Sequence, residues 1–210
     1  GTEIEEATAD APAPFDEGGL TIAIVQQSGQ GDYFQQFLNG VKQQSGPHDI
    51  KLDTYDAQGD NAKQASQLDQ AIAAGVDGII VRHGFPDSLC PGVNDAIEKG
   101  IPIVIYDVEI QQCAPDALQT QQSDAEMASL VLDQMKEDIG TDQKVGYVNV
   151  AGIAPLDRRD KVWNEALKDN NWDQLFKTGK YTDSTASDSA PMVSNALKAD
   201  SDVVAIYAPY

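Results

Sequence analysis

Short apolar runs alternate with stretches of helical periodicity from Leu20 to Tyr210. The first run, Leu20-Thr21-Ile22-Ala23-Ile24-Val25, is nearly all apolar, as a parallel strand covered on both faces requires. A polar, aromatic-bearing turn from Gln26 to Phe34 follows it. Phe34, Phe37, Leu38 and Val41 then repeat at i, i+3, i+4, i+7, predicting a helix from about Tyr33 that Ser45-Gly46-Pro47 stops. The same alternation predicts strands over 50–55, 77–81 and 101–106. Helices carry Ala65, Leu68 and Ile72 up to Gly75, and a shorter one covers about 93–99. A weaker strand near 117–121 leads to Ser123, with Glu126 three residues on, a capping box for a helix through Met127, Leu130, Val131 and Met135 to Gly140.

The rhythm then starts again. A strand over 144–150, a loop over 152–157 and a helix over 158–171 precede a strand over 175–181. A Ser/Asp/Thr-rich loop over 182–189, a helix near 191–197 and a strand over 202–208 complete the pattern. Strands alternating with helices through short connections imply parallel sheets with right-handed crossovers. The expected fold is α/β, with two doubly wound parallel-sheet lobes and a ligand cleft between them. The lobes are expected over 20–122 and 123–210, after an acidic flexible leader at 1–19. Two and a half β-α units make the second lobe read as partial, and the chain as a fragment. Ligands of open α/β sheets bind outside the carboxyl ends of the strands, which places the turn after the first strand in the cleft.

Composition narrows the function. Thirty-four acidic residues against 14 basic give a formal charge of −20, and that field repels a phosphate backbone, so no nucleic-acid partner is expected. No apolar run approaches the ~18 residues of a membrane span. The 210 residues contain two cysteines, Cys90 and Cys113, each read as a loop residue beside a proline at one sheet edge. Their placement predicts a disulfide and an oxidising compartment. Two cysteines without clustered histidines make no zinc site, and no GxGxxG or P-loop is present, so no metal or cofactor is expected.

Several stretches together resemble the periplasmic sugar-binding proteins of the ribose/galactose class, whose fold is shared with LacI-type effector domains. They are Thr21 to Val25 with Asp32-Tyr33-Phe34, Asp56 to Gln64, Ala73 to Val81, Ala96 to Val104 with Asp107, Gln122-Ser123-Asp124, Gly152-Ile153-Ala154 with Arg158-Arg159, and Ala205 to Tyr210. The resemblance implies an extracytoplasmic protein, periplasmic or extracellular and compatible with a lipid anchor ahead of the chain. It would be a monomer that closes on a small carbohydrate or polyol and delivers it to an ABC-type membrane permease. It further implies that Tyr33 and Phe34 pack on the sugar ring and that Asp107 accepts hydrogen bonds from hydroxyls. Arg158 or Arg159 matches the arginine opening the second lobe's first helix, and Tyr210 a polar cleft position. Val108 stands where ribose-type members often carry arginine, and Arg82 and His83 would supply donors instead.

The chemistry of these side chains agrees, because sugar C–H faces stack on aromatics and hydroxyls pair bidentately with carboxylate or guanidinium. Asp107 is expected to face solvent when the lobes are open, and only one of Arg158 and Arg159 is expected to point inward. Two other classes fit less well. A hydrolase drawing on Ser28, His83 and Asp107 lacks a nucleophile elbow, and a regulator lacks a basic helix-turn-helix before the first strand. A binding protein that feeds a sensor or receptor instead of a permease has the same sequence features.

Overall fold

The computed structural model describes residues 18–182 and 184–210, so most of the expected leader lies outside the described residues. The elements follow in the order β1 (Leu20–Gln26), α1 (Asp32–Ser45), a 3-10 turn (Gly46–His48), β2 (Ile50–Asp56), α2 (Asn61–Ala73), β3 (Gly78–Arg82), α3 (Pro86–Glu98), β4 (Ile103–Tyr106) and β5 (Leu118–Thr120). They continue as α4 (Asp124–Ile139), β6 (Lys144–Val148), α5 (Ala154–Asp169), β7 (Asp173–Thr178), α6 (Thr185–Ala199) and β8 (Ala205–Tyr207).

The strands form two separate parallel sheets, ordered β2-β1-β3-β4-β5 and β7-β6-β8. In each sheet the chain lays its second strand on one side of the first and its third strand on the other. The order therefore reverses beside β1 in one sheet and beside β6 in the other. Connections leave in opposite directions at such a switch point, and a crevice opens past the strands' carboxyl ends. Residues 27–31 and 83–85 in the first sheet, and 149–153 and 208–210 in the second, stand at those two crevices.

Helices cover the sheets through apolar faces. Val25, Val81 and Ile105 of the first sheet are fully buried with Leu68 of α2 and with Leu89 and Val93 of α3. The second core is aromatic. Tyr147 stacks on Trp163 at 4.8 Å and on Tyr207 at 5.8 Å, with Leu132 and Trp172 in the same cluster. Helix α4 packs on α5 and β8 and so belongs with this core. Its Ser123 side chain accepts from the Glu126 amide at 3.2 Å, and Asp60 caps α2 in the same way through Lys63.

Three helices begin earlier than periodicity predicts. Helix α3 starts at Pro86, α5 at Ala154 with Pro155 in its first turn, and α6 at Thr185. Proline has the φ of a first helical turn and lacks only an amide that would be unpaired there, so it starts helices that an apolar repeat does not reveal. At α6 the side chains of the Ser/Asp/Thr-rich segment organise the start, with Thr182 Oγ1 donating to Asp188 at 2.7 Å. One consequence corrects the sequence reading: Cys90 lies within α3, not in a loop. It is joined to Cys113, with Cα atoms 5.9 Å apart.

Candidate ligand cleft

A cavity of about 1500 Å³ lies between the two sets of strand ends. On one side it is lined by Tyr33, Phe34, His83, Tyr106, Asp107 and Gln122, and on the other by residues of β6, α5, α6 and the segments following β7 and β8. Two of the first group are strained. His83 directly follows β3 at φ 55°, and Asp107 directly follows β4 at φ 62°. Side-chain-bearing residues are uncommon in this left-handed region. The strain is held by ladder-like bonds, His83 N–H to Tyr106 O at 2.9 Å and Asp107 N–H to Thr120 O at 3.0 Å.

The twin kinks bring the two side chains together, with His83 Nε2 3.2 Å from Asp107 Oδ2. Gln122 donates to the same oxygen at 3.3 Å, and Arg158 Nη2 donates to Asp107 Oδ1 at 2.7 Å from the opposite side. Asp107 is 1% exposed in this closed arrangement, where Arg158 of the second lobe covers it. Burial alone would raise its pKa. The hydrogen bond and charge of His83, with Arg158 and Gln122, outweigh that and hold it below the usual carboxylate range.

Both arginines point inward, another correction. Arg158 Nε and Arg159 Nε each donate at 2.7 Å to Asp124, one to each carboxylate oxygen, and Arg159 Nη1 also donates to the Pro209 carbonyl. Asp124, to which the sequence reading gave no role in the cleft, is buried as Asp107 is. Two guanidiniums balance two carboxylates, and an unpaired buried charge would be costly. Arg159 lines the cavity, while Arg158 spends its donors on Asp107 and Asp124.

Arg82 is placed differently from the expectation of a ligand donor. It is fully buried behind the aromatics, its guanidinium carbon 4.0 Å from the Phe37 ring centroid and 4.6 Å from that of Phe34. Its Nη1 donates to Gln26 Oε1 and to the Phe34 carbonyl, both at 3.3 Å. Desolvation lowers its pKa, and ring faces on several sides replace part of the lost hydration. Arg82 thus props Tyr33 and Phe34 from below. Phe34 is 9% exposed and meets His83 edge-on at 5.2 Å, whereas Tyr33 is half-exposed and shares a hydroxyl–hydroxyl bond of 2.9 Å with Tyr106. Tyr210 lines the cavity with half its surface exposed.

Sequence reasoning missed Tyr181, Tyr106 and the roles of Gln122 and Asp124. Tyr181, after β7, reaches across the cleft, its hydroxyl donating to Gln30 O at 2.9 Å and lying 3.3 Å from Ser28 Oγ. No periodicity marks such a residue. Asp124 had a signal, an acid in the first turn after a capping serine, but that pattern usually reads as dipole complementation. Among the described residues no group of His, Cys, Asp and Glu side chains could hold a metal ion, and no helix is long and apolar enough to cross a membrane.

Comparison with known proteins places this architecture. The family model described as a periplasmic binding protein domain matches residues 22–210, and the chain belongs to that family. It is similar to the xylitol-binding protein of Mycolicibacterium smegmatis, 35% identical over 129 residues, 61% of this chain and 36% of that protein. The solved 5-methylthioribose transporter solute-binding protein of Thermotoga lettingae, in complex with 5-methylthioribose, superposes with a TM-score of 0.79 at 31% identity, over 89% of this chain and 59% of that one. A sugar ABC transporter structure from Yersinia enterocolitica gives 0.81 at 28% identity, over 94% and 61%. The chain therefore spans less than two thirds of the length of these relatives.

Proposed function

We propose that the chain is the ligand-binding part of an extracytoplasmic solute-binding protein that captures a small sugar or polyol between two lobes, 20–122 and 123–210, for an ABC-type permease. The observation that carries this reading is the junction at the cleft. Asp107 and the Tyr33–Phe34 pair come from one sheet, and Arg158 and Arg159 come from the first helix of the other. A ligand hydroxyl that joins Asp107 or Arg159 in this network would tie the two sheets together, and the aromatic pair offers a face for a sugar ring. The named ligands of the relatives, xylitol and 5-methylthioribose, are of the same polyhydroxylated kind. Tyr33, Phe34, His83, Asp107, Arg159 and Tyr210 are the assigned contact residues, with Arg82 and Arg158 positioning them.

No catalytic step is assigned to the cleft. Location outside the cytoplasm follows from the family and suits the Cys90–Cys113 bridge. The charge of −20 weighs against nucleic acid as a partner. The test is a melting-temperature screen of the full chain against pentoses, hexoses and polyols. A true ligand adds about 2.7 kcal/mol of stability at a hundredfold excess over its Kd. A panel with no stabilising member would defeat the reading.

A further inference from the structure

We propose that Asp124, which does not line the cavity, positions Arg159 for the ligand and couples it to Asp107 of the other sheet. The inference rests on the sugar-binding reading above and adds a positioning residue to it. Asp107 and Arg159 both line the cavity, whereas Arg158 and Asp124 are not part of its lining. The four side chains form one chain of alternating charge. Arg158 Nη2 lies 2.7 Å from Asp107 Oδ1 and 2.6 Å from Asp124 Oδ2, and Arg159 Nε lies 2.7 Å from Asp124 Oδ1. Asp124 is 3% exposed, so these bonds form away from water, where charge-assisted hydrogen bonds are strong and polarise one another.

Helix geometry explains why a carboxylate is needed there. Arg158 and Arg159 are consecutive residues of α5, and consecutive helical side chains point about 100° apart. One face of α5 cannot present both to the cleft by itself. Asp124, in the first turn of α4, offers one oxygen to each guanidinium and draws the two together. Ser123 caps that turn through the Glu126 amide, which fixes the backbone from which Asp124 projects. The two arginines do not depend on Asp124 equally. Arg158 keeps its bond to Asp107 without it. Arg159 has Asp124 as its ion-pair partner among the described residues, and its other bond goes to the Pro209 carbonyl. Loss of Asp124 therefore releases Arg159, the member that a ligand can reach. The shared guanidinium of Arg158 supplies the coupling. A ligand hydroxyl that donates to Asp107 turns Arg158 more fully to Asp124, which lessens the hold of Asp124 on Arg159 and frees that guanidinium for the same ligand.

Calorimetric titration of the full chain with D-ribose, D-xylose, xylitol and myo-inositol tests this, with variants compared on whichever of these binds the parent most tightly. Arg159→Gln should weaken that ligand about tenfold, the loss of one charge-assisted hydrogen bond. Asp124→Asn, at a position that touches no ligand, should weaken it by a similar factor. A merely structural role would make the two losses multiply in the double variant, whereas positioning through Arg159 gives an affinity within about twofold of Arg159→Gln alone. The double variant removes one charge of each sign, so it still decides the matter if Asp124→Asn alone leaves a buried guanidinium unpaired and fails to fold. Parent-like affinity in either single variant, or a further loss in the double variant, would overturn the proposal. Binding by none of these compounds, nor by any other sugar or polyol, would instead remove the sugar-binding reading itself and this proposal with it.

Discussion

Asp107 holds a buried negative charge whose three partners come from three places in the chain: His83 after β3, Gln122 before α4, and Arg158 in α5. Its replacement therefore does more than remove a ligand contact. Asp107→Ala leaves Arg158 short of one partner and should cost about 3 kcal/mol in chemical denaturation, as well as abolishing ligand binding. The gentler Asp107→Asn keeps the shape and should lose most ligand affinity with a smaller stability cost. Parent-like affinity in the asparagine protein would show that the carboxylate is not a contact. The pH dependence has a definite sign. The folded pKa lies below the unfolded value, so the unfolded state binds the proton first on acidification. The contribution is complete above the unfolded value near ~3.9 and is lost as pH falls through the folded value. The denaturation midpoint of the parent should thus fall on acidification below about pH 4 more steeply than that of Asp107→Asn.

The elements place these residues through their ends. The reversals of strand order beside β1 and β6 open the two crevices, and the early starts of α3 and α5 shorten the loops that line them. Position 179 shows how tightly one such end is built. Gly179 has φ 142°, and a Cβ there would sit 2.5 Å from the Asn149 carbonyl oxygen. Gly179→Ala should destabilise by about 2 kcal/mol, since both the backbone angle and the contact oppose it. A thermal midpoint equal to the parent's would contradict this packing of β7 against the end of β6. The Cys90–Cys113 bridge ties α3 to the segment after β4 across 23 positions. Reduction should lower stability by about 3 kcal/mol, measured by urea denaturation with and without reductant. The double serine variant should match the reduced parent.

At the scale of the whole molecule, contacts of different kinds close the cleft. Arg158 bonds to Asp107 in its interior, and Tyr181 bonds to Ser28 and Gln30 at another point. Tyr181→Phe keeps the ring beside Phe34 but removes the hydroxyl, at about 1 kcal/mol per hydrogen bond lost. Ligand affinity should fall about tenfold if closure is part of binding, because the competent closed state becomes less populated. Small-angle scattering of the ligand-free variant should show a larger radius of gyration than the parent. Equal scattering curves and equal affinity would mean that the Tyr181 contact is incidental to closure.

Much of this architecture was legible in the order of residues. Apolar runs such as Ile22 to Val25 mark doubly covered strands, and the repeat from Phe34 to Val41 marks a helix face, because these patterns arise from local geometry. The strand-end positions of His83 and Asp107, and the first-turn positions of Tyr33 and Phe34 in α1, follow from the same rhythm. The starts of α3 and α6 did not, since they are set by proline and by side-chain hydrogen bonds around Thr182 and not by an apolar repeat. Only the tertiary structure decided where the charges went. Arg82 is buried beneath three rings, and both Arg158 and Arg159 turn inward to meet Asp107 and Asp124 from 51 and 35 positions away in the chain. A buried charge takes whichever opposite charge the fold brings near, and that proximity is created by sheet order and lobe contact, neither of which leaves a periodic trace in the sequence.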